Sequence, residues 1–429
     1  MSTDVLIYLV TIICTLLLTV WIIKHYKLSK YQVLIFVLLV LFWSSVNIIR
    51  AYRKSYAINP IEQGGLGLSI SIGATIAAAY GLMSIFARFP VFLISDLFKS
   101  RKFMIGTALV AISITSLWVI ISPNGDSLLY SSLALGLGAS MLSLFNVLFS
   151  ETFTPQQAMM SVSMLSVAPL LAEFMMSPFQ YVATQHAVND YSFMWKISLL
   201  LAVIALIFLF FIKDNKEPVR TMTWTTFKKL VTSKQVWVFG LIGISISFIR
   251  FGLSGSNIVT YAQNDFINMN PFAIAYIDFI YSIAQLGSGV LAGLYFSKRI
   301  GTKNTLLMGL LFSVGFNIII LFIKDPTVLF ITYSLSGFGY GLTYNSLIGI
   351  ALEPYDVSER EMSMAIFQTF FAVGIYYGDK IYGLILNLIP ETFTTFQMYQ
   401  SVFSVILLIT LLTIVCVVFL LKDKKEVSI

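Results

Sequence analysis

An all-α polytopic membrane protein is the fold class this sequence predicts, and three observations predict it. The 429 residues are 58% hydrophobic with a mean hydropathy of +0.88 and only 11% charged, more apolar than the core of a soluble domain requires. The apolar residues fall in thirteen runs, each near the length of about 20 residues that carries a helix across a bilayer. The basic residues fall almost wholly in alternate gaps between those runs, which is the positive-inside pattern.

The runs follow in order. The first, 4–23, has a leader, MSTD, without positive charge, and no small-residue cleavage site follows it; Lys24, Lys27 and Lys30 come after it instead. It reads as a retained helix with its N-terminus outside rather than as a signal peptide. The second, 33–57, ends in IIRAYRKSYA, which crowds Arg50, Arg53 and Lys54 into little more than one turn. Cations at membrane depth are costly and need partners. For Arg50 and Lys54 these are a snorkelled position or a carboxylate such as Glu173, Asp278 or Asp379. The third, 67–94, carries Arg88 and runs into the loop SDLFKSRK. Runs 103–122, 127–149, 157–181 and 194–212 complete the first group. Residues 213–235, KDNKEPVRTMTWTTFKKLVTSKQ, are the longest polar stretch and predict a cytoplasmic linker. Runs 236–258 (with Arg250), 272–296 (with Asp278), 304–323, 328–351, 362–387 (with Asp379 and Lys380) and 398–421 follow.

With the N-terminus outside, the inner gaps and the tail hold 19 of the 27 Lys and Arg, and the outer gaps hold only Lys196 and Lys324. Arg50, Arg53, Lys54, Arg88, Arg250 and Lys380 lie within runs. A miscounted span would scramble this asymmetry, so the odd number stands and the C-terminus is expected in the cytoplasm, with the chain in the plasma membrane. The expected organisation is an extra N-terminal helix in 1–30, six-helix bundles in 31–212 and 236–429, and the linker 213–235 between them.

The two groups echo each other. NIIRAY at 47–52 matches SFIRFG at 247–252, an offset of 200, and the basic loops DLFKSRK at 96–102 and KRIGTKN at 298–304 match at an offset of 202. Parallel six-helix repeats joined by a cytoplasmic linker are the major facilitator architecture, which binds its ligand at midplane between the halves. SDLFKSRK also resembles the facilitator signature between the second and third core helices, although its glycines are absent and the second half has Ser297 or Lys298 at the acidic position. In that role Asp96 latches the cytoplasmic side against a helix N-terminus or an Arg, and Arg101 and Lys102 hold the loop inside.

A narrower resemblance rests on three segments. YRKSYA at 52–57 resembles the Arg-Lys-Asn/Ser-Phe/Tyr signature in the first helix of the organophosphate:phosphate antiporter family. IRFGL at 249–253 is similar to that family's seventh-helix segment, and YGLTYNSLIGIALE at 340–353 to its tenth helix. The resemblance implies that Arg53 and Arg250 are the paired phosphate ligands, and that Arg88 stands where a family member has a lysine. Internal symmetry matches Arg250 with Arg50 instead, three residues away on one helix face, so both first-helix arginines stand as candidates. Tyr52, Tyr80, Tyr281, Tyr340 and Tyr344 are candidate hydrogen-bond donors, and Asp278 lies one turn from the place of a family glutamate. The family's fifth-helix histidine is missing: His25 and His186 lie in loops, and SVAPLLAEF offers Glu173 there.

The chemistry agrees with the resemblance. Arginine keeps its charge at any accessible pH, and its fork matches phosphate oxygens two at a time. A phosphate monoester carries about −1.5 to −2 charges near neutrality, so two guanidinium groups nearly cancel one organophosphate. The expectation is a transporter that exchanges a sugar phosphate or glycerol phosphate for inorganic phosphate. A proton-coupled carrier of another organic anion, using Glu173, Asp278 or Asp379, is the alternative, and a membrane sugar-phosphate sensor the third reading. Enzyme activity, a metal site and a cofactor are not expected: no nucleophile–base or ligand cluster appears, and Cys14 and Cys416 lie in apolar runs near opposite ends. The basic residues sit in short gaps between spans, which argues against nucleic acid. The expected partners are the lipid bilayer, an organophosphate and phosphate, bound by a monomer.

Overall fold

The computed structural model describes residues 3–98, 100–150, 152–153, 158–213, 224–352, 357–390 and 392–421. Each of the thirteen apolar runs lies on helix. The first run is α1 (Thr3–His25). The second is split into α2 (Lys30–Arg50) and α3 (Arg53–Ile58); α4 (Ile70–Phe98) and α5 (Arg101–Ile121) are unbroken. The fifth run is split into α6 (Gly125–Ser140) and α7 (Leu142–Ser150), and α8 (Ala158–Thr184) and α9 (Tyr191–Phe210) follow. After α10 (Trp224–Val231) come α11 (Lys234–Gly252) and α12 (Ser256–Gln263), again one run in two pieces. α13 (Pro271–Leu291) continues through a π-helical turn, Ala292–Phe296, into α14 (Ser297–Ile300). α15 (Thr302–Phe322), α16 (Pro326–Leu352), α17 (Val357–Leu386) and α18 (Thr395–Leu420) complete the chain. Among the described residues, eight helices are long and apolar enough to cross a membrane by strict length and hydropathy.

Local chemistry sets many of the starts. Ser29 and Gln32, Asn124 and Ser127, and Thr394 and Gln397 form reciprocal caps that satisfy the first free N–H groups of α2, α6 and α18. α15 begins after Gly301, which adopts φ +82°, a conformation side chains with a Cβ rarely take.

The chain forms two compact units. The first comprises Met1–Val219 with Gly255–Gln263 and Met269–Phe279, so α12 and the start of α13 join it from the second half of the sequence. The second comprises Arg220–Ser254, Asn264–Asn268 and Ile280–Ile429. Within the first unit α2 packs on α8 and α9, and α5 on α6 and α9. Within the second, α11 packs on α17 and α18, and α15 on α16 and α18, which repeats the same pairings in the same chain order. The extra helix α1 lies on α8, and Thr11 Oγ1 is 3.1 Å from the Tyr276 hydroxyl.

Close packing in each unit depends on a missing Cβ. One added at Gly136 would stand 2.2 Å from the Tyr80 carbonyl on α4, and one at Gly374 would stand 2.1 Å from the Ile244 carbonyl on α11. Small residues let membrane helices approach in this way. Of the linker, 214–223 lies outside the described residues. Residues Trp224–Val231 form α10, whose Leu230 is buried with Val236, Met362 and Ile366, and α11 begins inside the expected linker at Lys234.

Candidate functional site

In the first unit the site is built around the break in the first core helix. α2 ends at Arg50, Ala51 and Tyr52 turn, and α3 starts at Arg53. Arg53 is 3% exposed. Its Nη1 donates to the Arg50 carbonyl at 2.5 Å, its Nη2 donates to the Ala77 carbonyl on α4 at 3.0 Å, and its Cζ lies 5.2 Å from the centre of the Tyr80 ring. Arg53 therefore braces the break. Arg50 points elsewhere: its side chain is 20% exposed, and its Nη2 lies 3.6 Å from Oε2 of buried Glu173 on α8. That separation is an ion pair rather than a short hydrogen bond.

Polar contacts hold α8 in register with α2. Gln180 Nε2 donates to the carbonyls of Asn47 and Ile48 at 3.0 and 3.3 Å, and Asn47 Nδ2 donates to the Pro169 carbonyl at 3.4 Å. Pro169 and Pro178 both lie inside α8 and each removes one N–H donor from the helix ladder.

Lys54 is fully buried. Its Nζ donates to Asn257 Oδ1 on α12 at 2.6 Å, and in the next residue Ser55 Oγ lies 3.2 Å from Thr260 Oγ1. Of the other candidates in this unit, Tyr52, Tyr80 and Asp278 are buried and Arg88 is half-buried on α4. Asp96 lies on α4, but its side chain is outside the described residues. Arg101 is buried at the start of α5. Lys102 Nζ donates to the Phe210 and Ile212 carbonyls at 2.8 and 3.2 Å, so it caps the C-terminal end of α9, where a cation is favoured.

The second unit repeats the theme. α11 ends two residues after Arg250, and Gly255, at φ +56°, takes the chain through the turn into α12. The carbonyls exposed by this break are capped: Ser254 Oγ donates to Arg250 O at 2.5 Å, and the Tyr382 hydroxyl donates to Gly252 O at 2.6 Å. The Arg250 guanidinium lies against the Tyr281 ring, Cζ to centroid 3.6 Å, with Tyr340 at 5.5 Å and Phe251 at 5.7 Å. Tyr340 stacks on Tyr344 at 5.4 Å, and Gln368 Nε2 donates to the Tyr344 hydroxyl at 2.8 Å. Arg250, Tyr281, Ser313, Ser336, Tyr340 and Thr343 line a small crevice. Asp379 is buried and Lys380 half-buried on α17.

The structure thus gathers Arg50, Arg53 and Tyr80 around one break, and Arg250, Tyr281, Tyr340 and Tyr344 around another. Sequence reasoning missed Asn257, Gln368 and Tyr382, and it missed both breaks. Gly252, Ser254 and Gly255 were the available signal for the second break; AYR carries none for the first. Among the described residues no three His, Cys, Asp or Glu side chains cluster as a metal site would need.

Comparison with known proteins bears on the fold. Residues 242–428 match the family model described as Major Facilitator Superfamily. No curated sequence matches the chain at a significant level. Among solved structures, a point mutant of the nucleoside transporter NupG aligns with a TM-score of 0.73 at 14% identity, covering 92% of this chain and 100% of its own. A POT family transporter in complex with 5-aminolevulinic acid aligns at 0.72 and 13% identity, covering 91% and 96%. A bacterial homologue of the human lysosomal transporter Spinster aligns at 0.64 and 11% identity, covering 91% and 95%. These likenesses establish the major facilitator fold, which is that of a multi-pass membrane protein.

Proposed function

We propose that this chain, whose fold is that of major facilitator transporters, is a secondary active transporter that exchanges a phosphorylated small metabolite for inorganic phosphate, with Arg50 and Arg250 as the anion ligands. One observation carries the reading: the same arrangement occurs in each unit. A core helix breaks at or just after an arginine, and a nearby side chain, Arg53 in one unit and Ser254 in the other, caps that arginine's carbonyl. Discontinuous helices are where transporters of this kind place their ligands.

The contacts of the two first-helix arginines support Arg50 as the ligand in this reading. Both terminal nitrogens of Arg53 are committed to backbone carbonyls, whereas Arg50 faces a side-chain carboxylate that a bound anion can replace. Arg250 lies with its guanidinium over the Tyr281 ring, and a guanidinium matches phosphate oxygens in pairs. A bound dianion offsets guanidinium charge that cannot be shed by deprotonation, and this favours movement of the loaded carrier over the empty one. The reading includes the plasma membrane, an external N-terminus and a monomeric carrier.

The Arg50–Glu173 ion pair favours a second reading, proton-coupled carriage of an organic anion, in which protonation of Glu173 releases Arg50. One experiment separates the two. Proteoliposomes loaded with inorganic phosphate should take up glycerol phosphate or a sugar phosphate, and empty ones far less, with or without a proton gradient. Uptake that needs the gradient, or that proceeds equally without internal phosphate, replaces exchange with symport.

A further inference from the structure

The buried face of α2 holds two polar atoms that the anion chemistry does not use. Trp43 is 7% exposed and Asn47 is 2% exposed, and neither the indole Nε1 nor the amide Oδ1 has a hydrogen-bond partner among the described residues. Buried polar atoms left in this state are rare, because they lose water and gain nothing in exchange. Their positions, with Arg50, follow the spacing i, i+4, i+7, so the three side chains share one stripe of the helix. The orientation of Asn47 is set by its other end: Nδ2 donates to the Pro169 carbonyl, which leaves Oδ1 as the acceptor still to be matched.

The repeat supplies a control. The positions equivalent to Trp43 and Asn47 in α11 are Gly243 and Ser247, and Ser247 Oγ donates locally to the Ile244 carbonyl at 3.0 Å. The second repeat is built without such a pair: Gly243 makes room there for the Phe367 ring.

An indole N–H only donates, and an amide oxygen only accepts. Together they complement a hydroxyl, which does both, or two neighbouring hydroxyls. The helical rise places Asn47 about 4.5 Å and Trp43 about 10 Å along the axis from Arg50. That is the reach of a short polyol chain attached to an anionic group held at Arg50. We propose that Trp43 and Asn47 form a hydroxyl-recognising subsite beside Arg50, so that the substrate is a polyhydroxylated organic anion. This rests on the assignment of Arg50 as an anion ligand.

The test compares the wild type with Trp43→Phe, which keeps an aromatic ring and removes the donor, and with Asn47→Leu, which removes the acceptor together with the Nδ2 donor to Pro169. Each is reconstituted in phosphate-loaded proteoliposomes. Uptake of inorganic phosphate, glycerol 3-phosphate, a hexose phosphate, and a hydroxylated and a plain carboxylate is measured. The expected result is a tenfold or greater rise in KM for the hydroxylated phosphates, with phosphate self-exchange unchanged within twofold, which also shows that the variants fold. Equal losses for phosphate and organophosphate, or no loss for either, overturn the subsite. If the wild type carries the hydroxylated carboxylate and no phosphate, and Trp43→Phe weakens that uptake selectively, the subsite stands and phosphate exchange falls. A wild type that carries only unhydroxylated anions, or none of the five, removes both.

Discussion

Replacing Arg50 and Arg53 separately by lysine distinguishes a ligand from a brace. Both changes keep the charge. At Arg53 the fork spans two carbonyls on different helices, Nη1 to Arg50 O at 2.5 Å and Nη2 to Ala77 O at 3.0 Å. An ammonium on a shorter stem cannot hold both, so one charge-assisted hydrogen bond is lost, which costs about 1.5–3 kcal/mol. That cost falls on the folded protein, loaded or empty, and therefore on stability. At Arg50 the ion pair with Glu173, at 3.6 Å, is too long for a strong directional bond, and an ammonium retains much of its Coulomb attraction. If Arg50 is the proposed ligand, what Arg50→Lys loses is the bidentate grip on a bound phosphate, and a loss of about 1.5–3 kcal/mol in that contact is roughly a ten- to hundredfold weaker anion affinity. Thermal unfolding in detergent and phosphate exchange per mole of folded protein measure the two effects. Arg53→Lys should unfold at a lower temperature and exchange phosphate with near-normal KM, while Arg50→Lys should unfold normally and exchange poorly. The reverse outcome, normal stability with lost exchange in Arg53→Lys and full activity in Arg50→Lys, would refute the division of roles drawn from these contacts.

Arg250→Lys should behave like Arg50→Lys, because lysine keeps the charge over Tyr281 but lacks the planar edge; KM for phosphate is the readout, and an unchanged value removes Arg250 from the site. Glu173→Gln should lower the KM for inorganic phosphate several-fold at neutral pH, since it removes the carboxylate that competes for Arg50; a raised KM would mean that Glu173 positions Arg50 for binding. Asn257→Leu takes away the acceptor 2.6 Å from buried Lys54 and should destabilise the first unit by about 1–3 kcal/mol, seen as a lower unfolding temperature. Finally, in a background without Cys14 and Cys416, a membrane-impermeant thiol reagent applied to intact cells should label Ser2→Cys and spare Ser428→Cys; labelling of both or neither contradicts an external N-terminus with thirteen spans.

Helix placement was legible in the sequence because it rests on a local sum. Transfer of about 20 consecutive residues into hydrocarbon outweighs any single side chain, so each apolar run from 4–23 to 398–421 coincides with helix even where it contains Pro169, Pro178 or Arg88. The repeat was legible for a similar reason, since NIIRAY and SFIRFG solve the same packing problem in α2 and α11. The side-chain roles were not. Arg50 and Arg53 are chemically identical and three residues apart, and only the carbonyl of Ala77 on another helix and the carboxylate of Glu173 on a third tell them apart. Lys54 reaches an acceptor 203 residues away, and no local pattern encodes that distance. The helix breaks at 51–52 and 253–255 belong to the same class. A broken ladder is stable only where partners such as Arg53, Ser254 and Tyr382 cap the freed carbonyls. The sequence by itself thus determined which segments are helices in a membrane, because hydrophobicity is additive along the chain. The tertiary structure alone decided which cation is tied to backbone carbonyls and which faces a carboxylate, because a buried charge takes its role from whatever the fold brings beside it.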